Sequence, residues 1–367
     1  MQTDTRPLVQ IEDLNVQFTG GKKVVQAVSG VSLSVRRGES VALIGESGSG
    51  KSVTLRTLLR LHPERKTVMK GKVQVAGHDV LRMDGKALSG YRGKTCSMIF
   101  QDPLLALDPV YPVGAQIVEA IRRHEPSVSK AEAEKRALQL FERVSIPSPE
   151  QRLKAYPHEM SGGMRQRVMI ALALACNPQV LLADEPTTAL DATVQIQILL
   201  LLRQLQRDLG LGIIFVTHDI GAAVEVADRI AVMYAGRIVE EGTAEQLIRS
   251  PRHPYTMALL QSRSHGAMER GQPLQTIPGA PPDLTAIPPG CAFAPRCRFA
   301  TPGCSQVLPG AMEIAPGHLA RCIHTDTTVL QAPQVLAAQK RERLALVFQG
   351  FPLVFYLKPC RYKRWQL

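Results

Sequence analysis

The stretch GESGSGKS, from Gly45 to Ser52, restricts the fold of this chain more than any other feature of its sequence. The apolar run SVALI leads into it and VTLRTLLRL follows it, which predicts a buried strand, a glycine-rich turn and a helix. Such a turn can direct several backbone N–H groups at one point, where the positive end of the helix dipole also lies. The pattern G-x-x-x-x-G-K-[ST] is complete. A flexible surface loop is the alternative, but the strand–loop–helix context favours a phosphate-binding loop.

The residues of this loop have distinct expected roles. Lys51 is expected to reach the β- and γ-phosphates of a nucleotide, and Ser52 is expected to place its hydroxyl on Mg²⁺. The remaining members are expected to surround the phosphates. The predicted nucleotide-binding set of the loop is Gly45, Glu46, Ser47, Gly48, Ser49, Gly50, Lys51, Ser52 and Val53.

The composition is that of an ordinary globular protein. Of the 367 residues, 45% are hydrophobic and 21% are charged, so the chain can bury a core. The longest apolar run, VMIALALAC from Val168 to Cys176, is about half a membrane span, and the N-terminus has no signal-peptide pattern. We therefore expect no transmembrane helix and a cytoplasmic location. The net charge of +12 suits either nucleic acid or the anionic face of a membrane.

Strand-like and helix-like segments alternate along the chain, which predicts an α/β fold with a parallel, helix-covered sheet. Residues 8–262 are expected to form a nucleotide-binding domain that begins with antiparallel edge strands, with a helical subdomain inserted at about 104–176. Proline and glycine then become frequent, so residues 263–330 are expected to form a small appendage. The remaining residues, 331–367, are expected to be a flexible tail without an assigned role.

Two acidic side chains end the apolar run VLLADEP, which predicts a strand that stops beside the phosphate loop. There Asp184 is expected to hold the Mg²⁺ shell, and Glu185 is expected to accept a proton from the attacking water. Phosphoryl transfer needs in-line positioning, a metal and charge stabilisation more than covalent help. Because adjacent strand residues face opposite sides, one acid can serve the metal and the other the water. The alternative is a solvated strand end.

Two further polar residues follow predicted strands. Gln101, in MIFQDP, is expected to contact Mg²⁺ and the attacking water, and His218, in FVTHD, is expected to reach the γ-phosphate. Alone, each residue is more commonly an ordinary polar strand terminus. Together with Glu185 they form the predicted catalytic set.

The stretch MSGGMRQRV predicts a second anion-binding site. Ser161 stands at the capping position of a helix, and Gly162 and Gly163 leave backbone amides exposed. A chain with one phosphate loop has no obvious use for this second site, unless the site completes the nucleotide site of another chain.

These motifs, with ALD at residues 189–191, closely resemble those of the ABC-type ATPases, and they occur in that family's order over about residues 8–260. The resemblance implies that two cassettes meet head to tail. Each ATP would then lie between one chain's phosphate loop and the signature, residues 161–163, of the other. It also implies that Phe18 stacks on adenine; a core phenylalanine is the alternative at that position.

Three segments narrow the resemblance further: FQDPLLALDPVYPVG around Gln101, PRHPYTMALLQS and CAFAPRC. They resemble ATP-binding subunits of bacterial dipeptide and oligopeptide importers, which implies ATP hydrolysis that powers import of small peptides at the cytoplasmic face of the inner membrane. The implied partners are a second ATPase subunit, two transmembrane permease subunits and an extracytoplasmic solute-binding protein. The main alternative is an ABC ATPase that acts on nucleic acid, which only the net charge supports. A redox enzyme is disfavoured because no flavin or nicotinamide fingerprint is present.

Four cysteines fall in the appendage with the spacing C-x₅-C-x₆-C-x₁₇-C. This spacing is looser than the pairs usual for zinc, and four thiolates can also hold an iron–sulfur cluster, as the resemblance to importer subunits implies. We expect a [4Fe–4S] cluster, with zinc or no metal as alternatives, because a segment with few apolar residues would gain order from a metal. Two other cysteines, Cys96 and Cys176, are expected in the core. The predicted cluster ligands are Cys291, Cys297, Cys304 and Cys322.

Overall fold

A computed structural model describes residues 6–262 and 277–326 of the chain. The expected tail at residues 331–367 lies outside the described residues, as does the start of the expected appendage at residues 263–276. The strands are β1 (Val9–Phe18), β2 (Val25–Val35), β3 (Ser40–Ile44), β4 (Thr67–Val75), β5 (His78–Asp79), β6 (Cys96–Ile99), β7 (Val180–Asp184), β8 (Gly212–Thr217), β9 (Arg229–Tyr234), β10 (Arg237–Thr243), β11 (Met312–Ala315) and β12 (His318–Ala320). The helices are α1 (Lys51–Thr57), α2 (Gly85–Tyr91), α3 (Pro103–Ala106), α4 (Val113–His124), α5 (Lys130–Arg143), α6 (Pro149–Arg152), α7 (Gly162–Leu174), α8 (Ala192–Leu209), α9 (Ile220–Val226), α10 (Ala244–Arg249), α11 (Pro254–Gln261) and α12 (Pro302–Gln306).

The larger sheet has the strand order β11-β12-β10-β9-β3-β8-β7-β6, and its strands from β9 to β6 are parallel. Both faces of its centre are buried. In β3, Ala42 and Ile44 face a core formed largely by helices, whereas Val41 and Leu43 face a second apolar core. A strand covered on both faces reads as a continuous apolar run, which is why this segment stands out in the sequence.

The second core lies under an antiparallel sheet with the order β2-β1-β4-β5. Leu55 of α1 and Leu58, its C-cap residue, belong to the same core, so the helix that follows the phosphate loop is anchored between the two sheets. The α/β fold class with a parallel sheet and an antiparallel edge is therefore confirmed.

Between β6 and β7 the chain contains only helices, α3 to α7, with short connections. Ile117, Phe141 and Val168 are fully buried and join the helix-side core, so this region packs against the parallel sheet. Ser129 caps the start of α5 by accepting a hydrogen bond from the backbone N–H of Glu132. The exact domain bounds stay a prediction.

The cysteine-containing segment, residues 291–322, adds strands to the larger sheet of the cassette. Strand β12 pairs antiparallel with β10, where Glu240 lies opposite Ala320, and β11 completes the hairpin. Phe293 is buried in the helix-side core. The segment has few apolar residues for a core of its own, so it covers the otherwise unpaired edge of β10 and packs on the cassette. None of the helices within residues 6–262 and 277–326 is long and apolar enough to cross a membrane.

Candidate functional site

The predicted site residues follow adjacent parallel strands of the larger sheet. The phosphate loop follows β3, Gln101 follows β6, Asp184 ends β7, and His218 follows β8. Because the carboxyl ends of neighbouring parallel strands lie at one edge of a sheet, these residues are brought to the same crevice.

The backbone of the phosphate loop requires its glycines. Gly50 precedes α1 with a φ of 100°, in the left-handed region, and a Cβ there would lie 2.5 Å from the carbonyl oxygen of Ala27. A Cβ on Gly45 would lie 2.2 Å from the carbonyl oxygen of Met233. Glycine is therefore needed at both positions, and the amides at the start of α1 stay unobstructed.

Lys51 is buried beneath this loop. Its Nζ donates hydrogen bonds to the carbonyl oxygens of Gly45, at 2.9 Å, and of Glu46, at 2.8 Å. Burial lowers the pKa of Lys51, and the nearby carboxylates of Glu185 and Asp184 oppose that shift. The ammonium is thus held inside the loop next to two acids, where an anion can take over the role of the carbonyls.

Asp184 and Ser52, predicted to share the Mg²⁺ site, are in direct contact. The hydroxyl of Ser52 donates to Oδ1 of Asp184 at 2.6 Å, and Asp184 is 1% exposed. Arg56, on the next turn of α1, lies 3.3 Å from Oδ2 of the same carboxylate. Carboxylate and hydroxyl oxygens are suitable hard ligands for Mg²⁺. The sequence analysis missed Arg56, since an arginine in a helix is usually a solvated surface residue.

We expect Asp184→Asn to raise the Mg²⁺ concentration needed for half-maximal ATPase activity by roughly ten- to a hundredfold, the range found when groups supporting a metal are replaced. The amide keeps the shape but loses the charge that stabilises the ion. Titration of Mg²⁺ at fixed ATP measures the effect. Asp208→Asn, on the exposed face of α8, is the matched control, and equal Mg²⁺ dependence of both variants would exclude the role.

Glu185 brings the predicted catalytic residues together. Its Oε2 accepts a hydrogen bond from Nε2 of Gln101 at 3.2 Å and lies 3.6 Å from Nδ1 of His218. The hydroxyl of Thr188 donates to the same oxygen at 2.9 Å. Glu185 itself has a φ of 47°, a left-handed conformation that costs energy for a non-glycine residue and is common at functional sites.

Thr188 was not predicted from the sequence. It stands three residues after Glu185, and the turn after β7 folds it back onto the carboxylate. Its position in the run DEPTT, shortly after the two acids, was the available signal.

The second anion-binding motif forms a capped helix start. Oγ of Ser161 accepts a hydrogen bond from the backbone N–H of Met164 at 3.3 Å, at the N-terminus of α7. A Cβ on Gly163 would lie 2.7 Å from the side chain of Val194, so the glycine allows α7 to approach α8 closely. The expected contact between this motif and a partner's nucleotide stays a prediction.

Phe18 ends β1 beside the second core. Its ring meets that of His62 edge to face, with centroids 5.5 Å apart, and it packs partly against the apolar core. The expected stacking on adenine stays a prediction.

The four predicted cluster ligands line one small cavity. Burial raises the pKa of the Cys322 thiol to about 11 and also raises the pKa values of the thiols of Cys291 and Cys297. The cavity has a volume of about 20 Å³, which accommodates about one water molecule. Its lining includes Cys291, Cys297, Cys304, Cys322, His253 and His324.

The imidazole of His253 lines this cavity and has a buried N–H group without a hydrogen-bond acceptor in the described part of the chain. Its Nδ1 accepts a hydrogen bond from the backbone N–H of Tyr255, so the ring proton resides on Nε2. That nitrogen is buried and has no hydrogen-bond partner among the described residues. Within residues 6–262 and 277–326, no group of three or more His, Cys, Asp or Glu residues is arranged to hold a metal ion.

A larger groove lies away from both of these sites. It has a volume of about 650 Å³ and runs between the antiparallel sheet and residues 284–289. Its amide side chains already have protein partners: Gln17 donates to Gln26, and Asn15 donates to the carbonyl oxygen of Asp13. The groove therefore does not compete with the Glu185 crevice as the site of chemistry.

Two family models match the chain. The model described as ABC transporter matches residues 28–188, and the model described as the C-terminal region of oligopeptide/dipeptide transporters matches residues 239–304. The first match covers the phosphate loop, the capped α7 and Glu185, and the second reaches three of the four cysteines in the cavity.

Curated relatives match over most of the chain. The oligopeptide transport ATP-binding protein OppD of Bacillus subtilis is 45% identical over 95% of this chain and 97% of its own length. The dipeptide transport ATP-binding protein DppD of the same organism is 47% identical over 79% of this chain and 86% of its own length. The nucleic-acid alternative is not supported by these matches.

Solved structures show the same fold. One is a dimeric ATP-binding cassette in a post-hydrolysis state with bound ADP and Pi. It is 30% identical, with a TM-score of 0.58, over 64% of this chain and 98% of its own length.

Proposed function

This chain belongs to the ATP-binding subunits of ABC-type oligopeptide and dipeptide transporters, and we propose that it hydrolyses ATP to power the import of small peptides. The convergence of Gln101, His218 and Thr188 on one oxygen of Glu185, beside the phosphate loop, is the observation that carries the proposal. Such a set suits water attack on a phosphoryl group, for which positioning and charge stabilisation matter most.

In the proposed mechanism the phosphates replace the carbonyl partners of Lys51. Ser52 and Asp184 would hold Mg²⁺ with Gln101, the ion would neutralise phosphate charge, and the loop of residues 45–53 would surround the phosphates. Glu185 accepts the proton of the attacking water. His218 contacts the γ-phosphate, and Thr188 restricts the carboxylate of Glu185 to the orientation in which its other oxygen can face the water.

Dimerisation completes the proposed site. The amides of residues 161–163 would bind the γ-phosphate held by a second cassette, and a head-to-tail pair would contain two such sites. The dimeric state of the solved relative supports this arrangement. Phe18, at the end of β1, would stack on the adenine.

We further propose two transmembrane permease subunits as partners, at the cytoplasmic face of the inner membrane, with an extracytoplasmic solute-binding protein. An exposed apolar patch follows Gln101 and supports this proposal, since contiguous exposed apolar residues mark interaction surfaces. The patch consists of Leu104, Leu105, Val110 and Tyr111.

Reconstitution tests the transport function. The chain, a second ATPase subunit and two permease subunits would be placed in vesicles with the solute-binding protein and labelled di- and oligopeptides. We expect peptide uptake that requires ATP, and ATPase activity that rises with peptide. ATPase activity stimulated by DNA or RNA, and indifferent to peptide, would contradict the proposal.

For the four cysteines we propose a [4Fe–4S] cluster. A single zinc ion needs all ligands at about 2.3 Å from one point, whereas a cluster needs one thiolate at each of several irons spread around a cavity. The Nε2–H of His253 has no acceptor among the described residues, and a sulfide or a metal-bound thiolate would supply one, which supports a metal group at this cavity. The thiols would have to move apart, because the cavity is smaller than a cluster.

We expect protein purified without oxygen to contain iron and sulfide in about equal amounts and to absorb broadly at visible wavelengths. Cys297→Ser should remove this absorption and loosen residues 291–322, because the segment has little apolar core to order it. Cys176→Ser, in the cassette core, is the control and should keep the iron. Stoichiometric zinc without iron would decide for zinc, and a protease-resistant segment without either metal would exclude both.

A further inference from the structure

One arginine of the cysteine segment, residues 291–322, contacts the phosphate loop. Arg296 stands next to Cys297, and its guanidinium makes two hydrogen bonds to the carboxylate of Glu46, at 2.7 and 3.0 Å. The Arg296 side chain is 4% exposed and that of Glu46 27%. Parallel bonds from an arginine fork to a carboxylate fix orientation as well as distance, so the side chain of a phosphate-loop residue is held by a segment 250 residues away.

The backbone of Glu46 is held from the same side. Its N–H donates to the hydroxyl of Tyr255, on α11, at 2.8 Å. The rings of Tyr255 and Phe293 lie 5.3 Å apart, and Tyr234 lies 4.5 Å from Tyr255. The hydroxyl of Tyr234 also accepts a hydrogen bond from Arg296 at 3.2 Å.

The two residues that contact Glu46, Arg296 and Tyr255, stand close along the chain to residues that line the cysteine cavity. Phe293 and Cys297 line that cavity and flank Arg296 on the chain, while His253, the N-cap of α11, lines it two residues before Tyr255. A rearrangement of the cysteines would therefore act on the chain segments that carry the two groups holding Glu46. A packed, continuous path of this kind is the physical requirement for coupling between two sites.

We propose that Arg296 is a positioning residue for the phosphate loop and that, through Glu46, it couples the order of the cysteine segment to the affinity for MgATP. This inference rests on the ATP site of the proposed function. Glu46 is the second residue of the phosphate loop and directly precedes residues 47–53, so freeing its side chain would let the loop leave the geometry that binds phosphates. Because coupling of binding equilibria is reciprocal, MgATP must in turn order the cysteine segment.

Nucleotide binding by the full-length chain tests the proposal. We expect Arg296→Ala and Glu46→Gln each to weaken binding of fluorophore-labelled MgATP about tenfold, which is 1.4 kcal/mol. Arg296→Lys should lie between these variants and the unchanged protein, because lysine keeps the charge without the fork. Arg298→Ala is the matched control, since Arg298 contacts Phe299 and Met257 but not the loop.

The double variant separates coupling from a general loss of stability. If the two residues act as a pair, Arg296→Ala with Glu46→Gln should bind MgATP no more weakly than either single variant. Glu46→Gln breaks the pair within the cassette and leaves the cysteine segment unchanged. Its effect therefore does not depend on whether that segment still folds in Arg296→Ala. Hydrogen exchange should show that MgATP protects residues 291–306 in the unchanged protein and not in Glu46→Gln.

Unchanged affinity in both single variants, additive losses, or equal protection in Glu46→Gln would overturn the inference. Absence of MgATP binding by the unchanged protein would instead contradict the proposed function. The two failures are thus distinguishable without any measurement of turnover.

Discussion

Glu185→Gln is expected to reduce ATP turnover by at least roughly 10²–10⁴-fold, the contribution typical of a general base, while ATP remains bound. Glutamine keeps the size of the side chain and its contacts with Gln101 and Thr188, but it cannot accept the proton of the attacking water. The nucleotide site then fills without hydrolysis, so ATP-bound dimers should accumulate. Phosphate release by the assembled transporter, together with the size of the complex in MgATP, measures both effects.

Glu225→Gln, on the exposed side of α9, is the matched control and should leave turnover unchanged. Near-normal turnover of Glu185→Gln in the assembled transporter would remove Glu185 from the role of base. Loss of ATP binding in this variant would point to a role in holding the nucleotide.

Ser161→Arg is expected to abolish hydrolysis while leaving nucleotide binding nearly intact. Ser161 caps α7 with its side chain exposed, at the predicted contact with a partner's nucleotide. An arginine there removes the cap and places a long side chain in the space that the partner's γ-phosphate would occupy. Binding of labelled ATP and release of phosphate, measured on the same preparation, separate the two effects.

Two variants make this result interpretable. Ser129→Arg removes an equivalent cap from α5, away from the motif, and should keep hydrolysis if cap loss alone is harmless. Lys51→Ala removes the buried ammonium of the phosphate loop and sets the expected level for lost ATP binding. A loss of binding in Ser161→Arg comparable to that in Lys51→Ala would contradict a site shared between two chains.

Residues of the proposed ATP site could be selected from the sequence because each motif is a short run of neighbouring residues. Gln101, Asp184, Glu185 and His218 lie at or just after the ends of apolar strands, and parallel strands place such positions at one edge of the sheet. The spacing of Gly45, Gly50 and Lys51 also predicts the geometry of the turn. Only glycine fits at positions 45 and 50, where a Cβ would collide with backbone atoms. Ser52 and Asp184, each assigned to Mg²⁺ from the sequence, are in direct contact in the structure although they stand 132 residues apart.

Local sequence patterns gave a wrong prediction where a neighbouring strand determines which residue the backbone can accept. In the stretch GKVQVAGHDV, a candidate strand pair, the sequence alone predicts Gly71 and Gly77 as turn residues, but Gly71 lies inside β4. There β1 bulges between Glu12 and Asn15, and a Cβ on Gly71 would lie 2.5 Å from the carbonyl oxygen of Asp13. The glycine serves the close approach of a neighbouring strand, which its own segment does not encode.

The sequence by itself determined the phosphate loop, the acids that end β7, the capped start of α7 and the α/β class, because each depends on residues adjacent along the chain. Only the tertiary structure decided that Thr188 restrains Glu185, that Arg56 contacts Asp184 and that Arg296 holds Glu46. These contacts depend on how the turn after β7 folds, how α1 packs against β7 and how the cysteine segment covers the cassette. Hydrophobic periodicity states which face of an element is buried, but it does not state which distant side chain that face will meet.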